Sequence, residues 1–186
     1  MKDHQKTSWD VRTLVFLGAL VAMHLVLTRV FVLELGFARI SLGSVCTILA
    51  GLWFGPVAGA VVGFTADIVG CFMKGYAVNP LITLAAILWG VIPVLFRPLF
   101  LKGSRVKKSM WLCAGVTLAS VISSLGLTTA GLVLFNGFNF FAIMPARIIQ
   151  FCVMTVVYCV ITNLLFFSPA TNVIQGLQRH KMRSNP

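Results

Sequence analysis

The sequence predicts an all-α integral membrane protein: six transmembrane helices in one compact bundle, with both termini on the cytoplasmic side. Three observations carry this. The 186 residues are 59% hydrophobic and only 10% charged, with a mean hydropathy of +0.97, whereas an ordinary soluble domain has about 25% charged residues. The apolar residues gather into runs suited to spanning helices of roughly 20 residues, and in lipid every backbone polar group must be satisfied within a helix or a closed barrel. The basic residues recur at places that alternating spans put on one side. The length leaves room for about six spans and little else, so residues 1–186 are expected to form a single membrane domain at the cell membrane.

The net charge of +11 raises the question of nucleic acid, and the charge distribution argues against it. Lys2, Lys6 and Arg12 precede the first apolar run, Arg97, Lys102, Arg105, Lys107 and Lys108 surround one short loop, and Arg179, Lys181 and Arg183 lie in the tail. These eleven of the fifteen basic residues mark inner segments by the positive-inside rule, so no nucleic-acid partner is expected. The five cysteines all fall in apolar runs without CxxC spacing and are expected as small buried hydrophobes.

In chain order, residues 1–10 are a polar leader, without the small-residue cleavage site of a secretory signal. The first span is expected at 13–33. Its Gly18 and Ala22, with Ala19 alongside, form a small-xxx-small face that admits a close helix neighbour, in this chain or another. Arg29 lies near its outer end and needs a partner, a water-filled cavity or a route to the interface. An outer loop at 35–41 holds Arg39. The second span, 42–54, is short. Gly55-Pro56 turns the chain into a third span, 57–73, whose Gly59, Gly63 and Gly70 share roughly one face for tight packing. That span also carries Asp67, an intramembrane acid and so a functional candidate, or else a structural partner of Arg29 or Arg39. A polar break at 74–79 precedes the fourth span, 80–99, which Pro93 should kink. The fifth span, 110–135, holds a run of serines and threonines able to hydrogen-bond backbone or ligand. An uncharged outer loop, 136–145, leads to the sixth span, 146–167, which begins with Arg147 and contains Gln150 and Asn163.

No catalytic constellation is present. The three histidines, His4, His24 and His180, are far apart, and HExxH, GxSxG and GxxxxGK[ST] are all missing. No enzyme activity, metal or cofactor is expected, nor transport powered by the chain's own ATP hydrolysis. What remains is a binding site. The outer half offers cations at Arg29, Arg39, Lys74 and Arg147, aromatics at Tyr76, Phe138, Phe140 and Phe141, and amides at Asn79, Asn136 and Asn139. Guanidinium groups grip carboxylates with two-pronged geometry, and aromatic faces suit a flat ring. These residues describe a pocket for a small anion with a flat part, or else a solvated rim with interface aromatics.

Several stretches resemble the substrate-binding S components of energy-coupling factor (ECF) vitamin transporters. They are Leu27-Thr28-Arg29, ARISLGSV at 38–45, LAGLWFGPVAGAVVGFTADIVG at 49–70 and KGYAVNPLITLAAILWG at 74–90. The resemblance covers roughly the first hundred residues, and the last two spans match in size and placement. It implies a six-helix binding subunit that captures a vitamin from outside and topples in the bilayer to deliver it inward. The implied partners are a transmembrane coupling subunit, which would dock on Gly18, Ala19 and Ala22, and two cytoplasmic ATPases.

The folate group is most similar, through Arg29 and the RISLG stretch, and folate is a dianion with a flat pterin. For folate, Arg29 and Arg147 are the residues expected on the carboxylates, with Arg39 or Lys74 assisting. Tyr76 and Phe138 or Phe140 would hold the ring, Asn79 and Asn139 would meet polar edges, and Asp67 would meet a pterin donor edge. The stretch YAVNPLITL departs from that group's YFPGFTL, so pantothenate stands as the alternative ligand, with a pyrimidine after it. A stand-alone secondary transporter or channel and a structural membrane protein are the rival classes.

Overall fold

The computed structural model describes residues 11–30, 33–35, 38–100, 104–169 and 171. Among these, α1 (Val11–Arg29) is followed by a small hairpin of β1 (Leu33–Leu35) and β2 (Ala38–Ile40). Then come α2 (Gly43–Phe54), α3 (Pro56–Lys74), α4 (Pro80–Leu95) and a one-turn α5 (Arg97–Phe100). The fifth rod runs unbroken from α6 (Arg105–Ala119) through a π-helical stretch (Ser120–Thr128) into α7 (Thr129–Asn136), and α8 (Phe140–Phe166) is last. Four of these rods are long and apolar enough to cross a membrane: α1, α3, the fifth rod and α8. The shorter apolar helices α2 and α4 complete a six-helix bundle.

α2 is the axis. Its 12 residues rise only about 18 Å, well short of the ~30 Å hydrocarbon core. It tolerates this because protein surrounds it: ten of its residues, from Gly43 to Trp53, are buried, as expected of a helix apolar on every side. It packs against α1, α3, α4 and α8, and Ile48 and Leu52 have no exposed surface at all.

Glycines bring α2, α3 and α4 together. The place a Cβ would take at Gly59 lies 2.8 Å from the Gly51 Cα and 2.9 Å from the Gly90 carbonyl carbon. At Gly63 it would lie 2.8 Å from the carbonyl carbon of Ala86. Backbone meets backbone there, so no side chain fits.

Several helix ends differ from the sequence expectation. α1 stops at Arg29 rather than at 33, because Leu33–Leu35 leaves the helix for the hairpin, where Leu33 pairs with Ile40 and Glu34 stands opposite Arg39. The expected outer loop at 35–41 is in part strand. α4 ends at Leu95 rather than at 99. Pro93 lies within it, but Pro98 cannot donate the next helical hydrogen bond to Val94, and the chain breaks at Phe96 before the short α5. The fifth rod starts at Arg105, five residues before expectation.

α8 begins at Phe140 rather than at 146. The Asn139 side chain caps it by accepting from the Phe141 amide at 3.1 Å, and Pro145 is accommodated inside the helix. The predicted loop at 136–145 therefore shrinks to 137–139. The expected serine and threonine run is the π-helical stretch. There Thr128 Oγ1 donates to the Ser123 carbonyl at 2.7 Å, five residues back, and Thr129 repeats the pattern to Ser124 at 3.4 Å. These hydroxyls cap carbonyls that the wider turn displaces.

Candidate functional site

One end of the bundle collects the C-terminal ends of α1, α3 and α7 and the N-terminal ends of α2, α4 and α8. Arg29 is the last residue of α1, and its guanidinium packs directly over Gly70 of α3, where a Cβ would stand 2.9 Å from its Cζ. One turn earlier on α3, Asp67 accepts a hydrogen bond from Thr83 Oγ1 of α4 at 2.7 Å. Thr83 also reaches the Asn79 carbonyl at 3.1 Å.

The Asn79 amide is committed to the fold. Its Oδ1 caps α4 by accepting from the Leu81 amide at 3.1 Å, and its Nδ2 donates to the Gly131 carbonyl at 2.9 Å and to Asn136 Oδ1 at 3.5 Å. Gly131 is glycine because a side chain there would press on that same amide, 3.2 Å away. A polar line therefore runs from Asp67 through Thr83 and Asn79 to Asn136, across α3, α4 and α7, with the Arg29 guanidinium packed over Gly70 one turn along α3 from Asp67.

Arg147 stands on α8. It belongs to the inward stripe of α8 with Ile143, Met154 and Tyr158 and is only 6% exposed. Its NH1 donates to Gln150 Oε1 at 3.4 Å, and its Nε is buried without a hydrogen-bond partner. The α2 N-terminus is seated between α1 and α8. On one flank Gly43 sits against Thr28 and His24 of α1, and on the other Tyr158 Oη of α8 donates to the Ser41 carbonyl at 2.7 Å. Because α2 is short, the volume over its N-terminus is left to the hairpin, which packs against α8. Arg39 lies on β2 of that hairpin.

The remaining expected residues form the rim. Lys74 ends α3, and its Nζ lies 6.0 Å from the ring centre of the exposed Tyr76. Gly75 between them takes the left-handed conformation, with φ +66°, that lets the helix stop there. Phe138, Asn139 and Phe140 are exposed at the start of α8. Phe140 and Phe141 meet edge to face, 5.6 Å apart.

The structure thus joins Asp67 and Asn79 through Thr83, packs Arg29 over Gly70 of the same helix as Asp67, buries Arg147 on α8, and keeps Lys74, Tyr76, Phe138 and Asn139 exposed or half-buried at the edge. Sequence reasoning missed Thr83, Thr47 and Tyr158. Thr83 follows Asn79 by one turn, and Tyr158 is one of only two tyrosines and sits mid-span. Those are the signals Thr83 and Tyr158 offered, and Thr47 offered none.

The small face of α1 is open. Gly18, Ala19 and Ala22 are exposed, and a Cβ at Gly18 would meet nothing within 4 Å.

The family described as ECF transporter, substrate-specific component, matches residues 12–177. The chain belongs to that family. This S component is a multi-pass integral membrane protein and a transporter's substrate-binding subunit, not an enzyme. It is similar to the folate transporter FolT of Clostridium novyi (strain NT), 25% identical over 153 residues that cover 81% of this chain and 86% of that protein. Its fold is similar to a crystal structure of FolT bound with folic acid, with a TM-score of 0.72 and 26% identity, covering 84% of this chain and 93% of that one. The fold also matches the S component of a bacterial ECF transporter, with a TM-score of 0.59 and 21% identity, covering 83% of this chain and 95% of that one.

Proposed function

We propose that this S component captures folate from outside the cell and delivers it inward, energised by a transmembrane coupling subunit and two cytoplasmic ATPases. Both termini are then cytoplasmic, and the Arg29 end of the bundle faces out. The observation that carries the reading is Arg147. A guanidinium 6% exposed, with its Nε unpartnered, is costly in a bilayer unless an anion meets it. Among the described side chains the one acid is Asp67, which accepts from Thr83. A ligand carboxylate answers that charge.

In this reading Arg147 and Arg29 hold the two carboxylates, with Lys74 or Arg39 assisting. Tyr76 and Phe138 at the rim cover the flat ring. Asp67, held by Thr83, presents an acceptor to the donor edge of the pterin. Asn79 and Asn139 shape the rim as helix caps. The similarity to FolT supports folate over other anions. The open face of Gly18, Ala19 and Ala22 supports docking of the coupling subunit, because close helix approach needs small residues, and the described residues leave these uncovered.

The test is a titration of the purified protein, stripped of vitamin, with folate, pantothenate and a pyrimidine, monitored through its four tryptophans. Folate alone should give a saturable response, and Arg147→Ala should weaken it roughly a hundredfold. A response to pantothenate but not to folate would overturn the substrate assignment. So would unchanged folate affinity in Arg147→Ala.

A further inference from the structure

The opposite end of the bundle carries a second cavity that the vitamin site does not use. A cleft of about 540 Å3 opens between α6 and α8. Arg105 and Ser109, near the start of α6, stand at its mouth, and Val160, Leu164 and Phe167 form an apolar wall. Asn163 Nδ2 reaches Cys113 Sγ at 3.1 Å and Cys159 Sγ reaches the Cys113 carbonyl at 3.8 Å, so the two helices close against each other at the cleft floor. The Arg105 guanidinium lies over the Phe167 ring, 5.6 Å from its centre. That contact fixes the cation at the mouth. Val160 and Leu164 are 59% and 70% exposed, so the wall opens sideways, toward the bilayer.

The charge here has no answer within the chain's own second half. None of the four acids follows residue 67, while Arg105, Lys107 and Lys108 gather in the first turn of α6. We propose that this cleft binds an anionic phospholipid, with its phosphate against Arg105 and Ser109 and an acyl chain along Val160 and Leu164. Arg105 opens α6, and Cys113 lies eight residues further on, about 12 Å deeper along the helix. That spacing puts the cation at headgroup level and the apolar wall at chain level. Basic pockets between transmembrane helices take anionic headgroups by this combination. A free phosphate would leave the apolar wall uncovered, and a neighbouring transmembrane helix would fill the groove without bringing an anion to Arg105.

The experiment uses the full chain in detergent, titrated with phosphatidylglycerol or phosphatidylcholine, with bound lipid counted by native mass spectrometry. Phosphatidylglycerol should bind saturably and in preference to phosphatidylcholine. Arg105→Gln should weaken it about tenfold, and Val160→Trp, which fills the open side of the groove, should abolish the bound species. Both variants should keep the wild-type vitamin affinity at the far end, which shows that they fold. Equal retention of the two lipids would overturn the proposal, as would wild-type retention of phosphatidylglycerol by both variants. Displacement of the lipid by inorganic phosphate at matched concentration would assign the site to a free anion instead. Protection of the groove only when the coupling subunit is present would assign it to that protein.

Discussion

Small residues do opposite work in two regions of this bundle. Along the α2–α3–α4 seam, Gly51, Gly59, Gly63 and Gly90 bring backbones into direct contact and leave no room for a Cβ. On α1, Gly18 has open space where its Cβ would be, and Ala19 and Ala22 are exposed beside it. The sequence signature is the same, glycine or alanine at helical spacing. In the seam the small residues are consumed by the fold. On α1 they leave a flat, apolar strip for something outside the chain, while the far end of the same helix is tied down through Thr28, His24 and Arg29. A short axial helix and its zipped neighbours form the fixed part, and in the proposed function α1 would serve both ligand and partner from its edge.

The harshest test of this contrast is a leucine in each place. Gly90→Leu drives a branched side chain into the Gly59 backbone, which cannot yield as a side chain would. The expected cost exceeds about 3 kcal/mol, and little folded protein should survive extraction and size-exclusion chromatography. Gly18→Leu should fold and bind folate with unchanged affinity, yet fail to support uptake in cells with a complete transporter. If Gly18→Leu lost binding, α1 would be working through contacts within its own chain, and the contrast would collapse.

A subtler change falls between the two regions. At Gly70 the atoms in the way belong to the tip of the Arg29 side chain, so Gly70→Ala should be absorbed by moving the guanidinium rather than the backbone. The protein should keep its thermal stability and lose vitamin affinity by about tenfold. Loss of stability with unchanged affinity would make Arg29 a structural pin instead of a ligand contact.

The fold was largely legible because its signals are periodic or compositional. Six apolar runs, the Gly55-Pro56 turn and the asymmetric basic residues need no tertiary information. The helix ends were less legible. The expected sixth span begins after Pro145, whereas α8 starts ahead of it at the Asn139 cap, and Pro98 ended α4 where the apolar run continued. Proline marks a strained position, but whether the helix starts, bends or stops there depends on what neighbours supply to the freed backbone groups. The site was legible by residue type and only in part by arrangement. Arg29, Asp67 and Arg147 were conspicuous because charge inside a span is costly. Thr83 and Thr47 were not, because threonine in an apolar helix ordinarily bonds its own preceding turn. The same type of side chain at Thr28 does so, reaching the His24 carbonyl at 2.8 Å.

Thr47 supplies the smallest expected effect and a sharp one for the attachment of α1. It is 1% exposed on α2, and its Oγ1 meets His24 Nδ1 at 3.0 Å. This hydrogen bond joins the axial helix to α1 about one turn inward from Arg29. Thr47→Val keeps the shape and removes the hydroxyl, so the loss should be about 1 kcal/mol, read as a lowering of Tm by about 2–4 °C. Vitamin affinity should fall by less than in Gly70→Ala, because the imidazole contact steadies α1 without holding the guanidinium itself. A larger affinity loss in Thr47→Val than in Gly70→Ala would reverse that order. It would mean that the seat of α1 on α2, rather than the packing of Arg29 over α3, sets the geometry of the anion site.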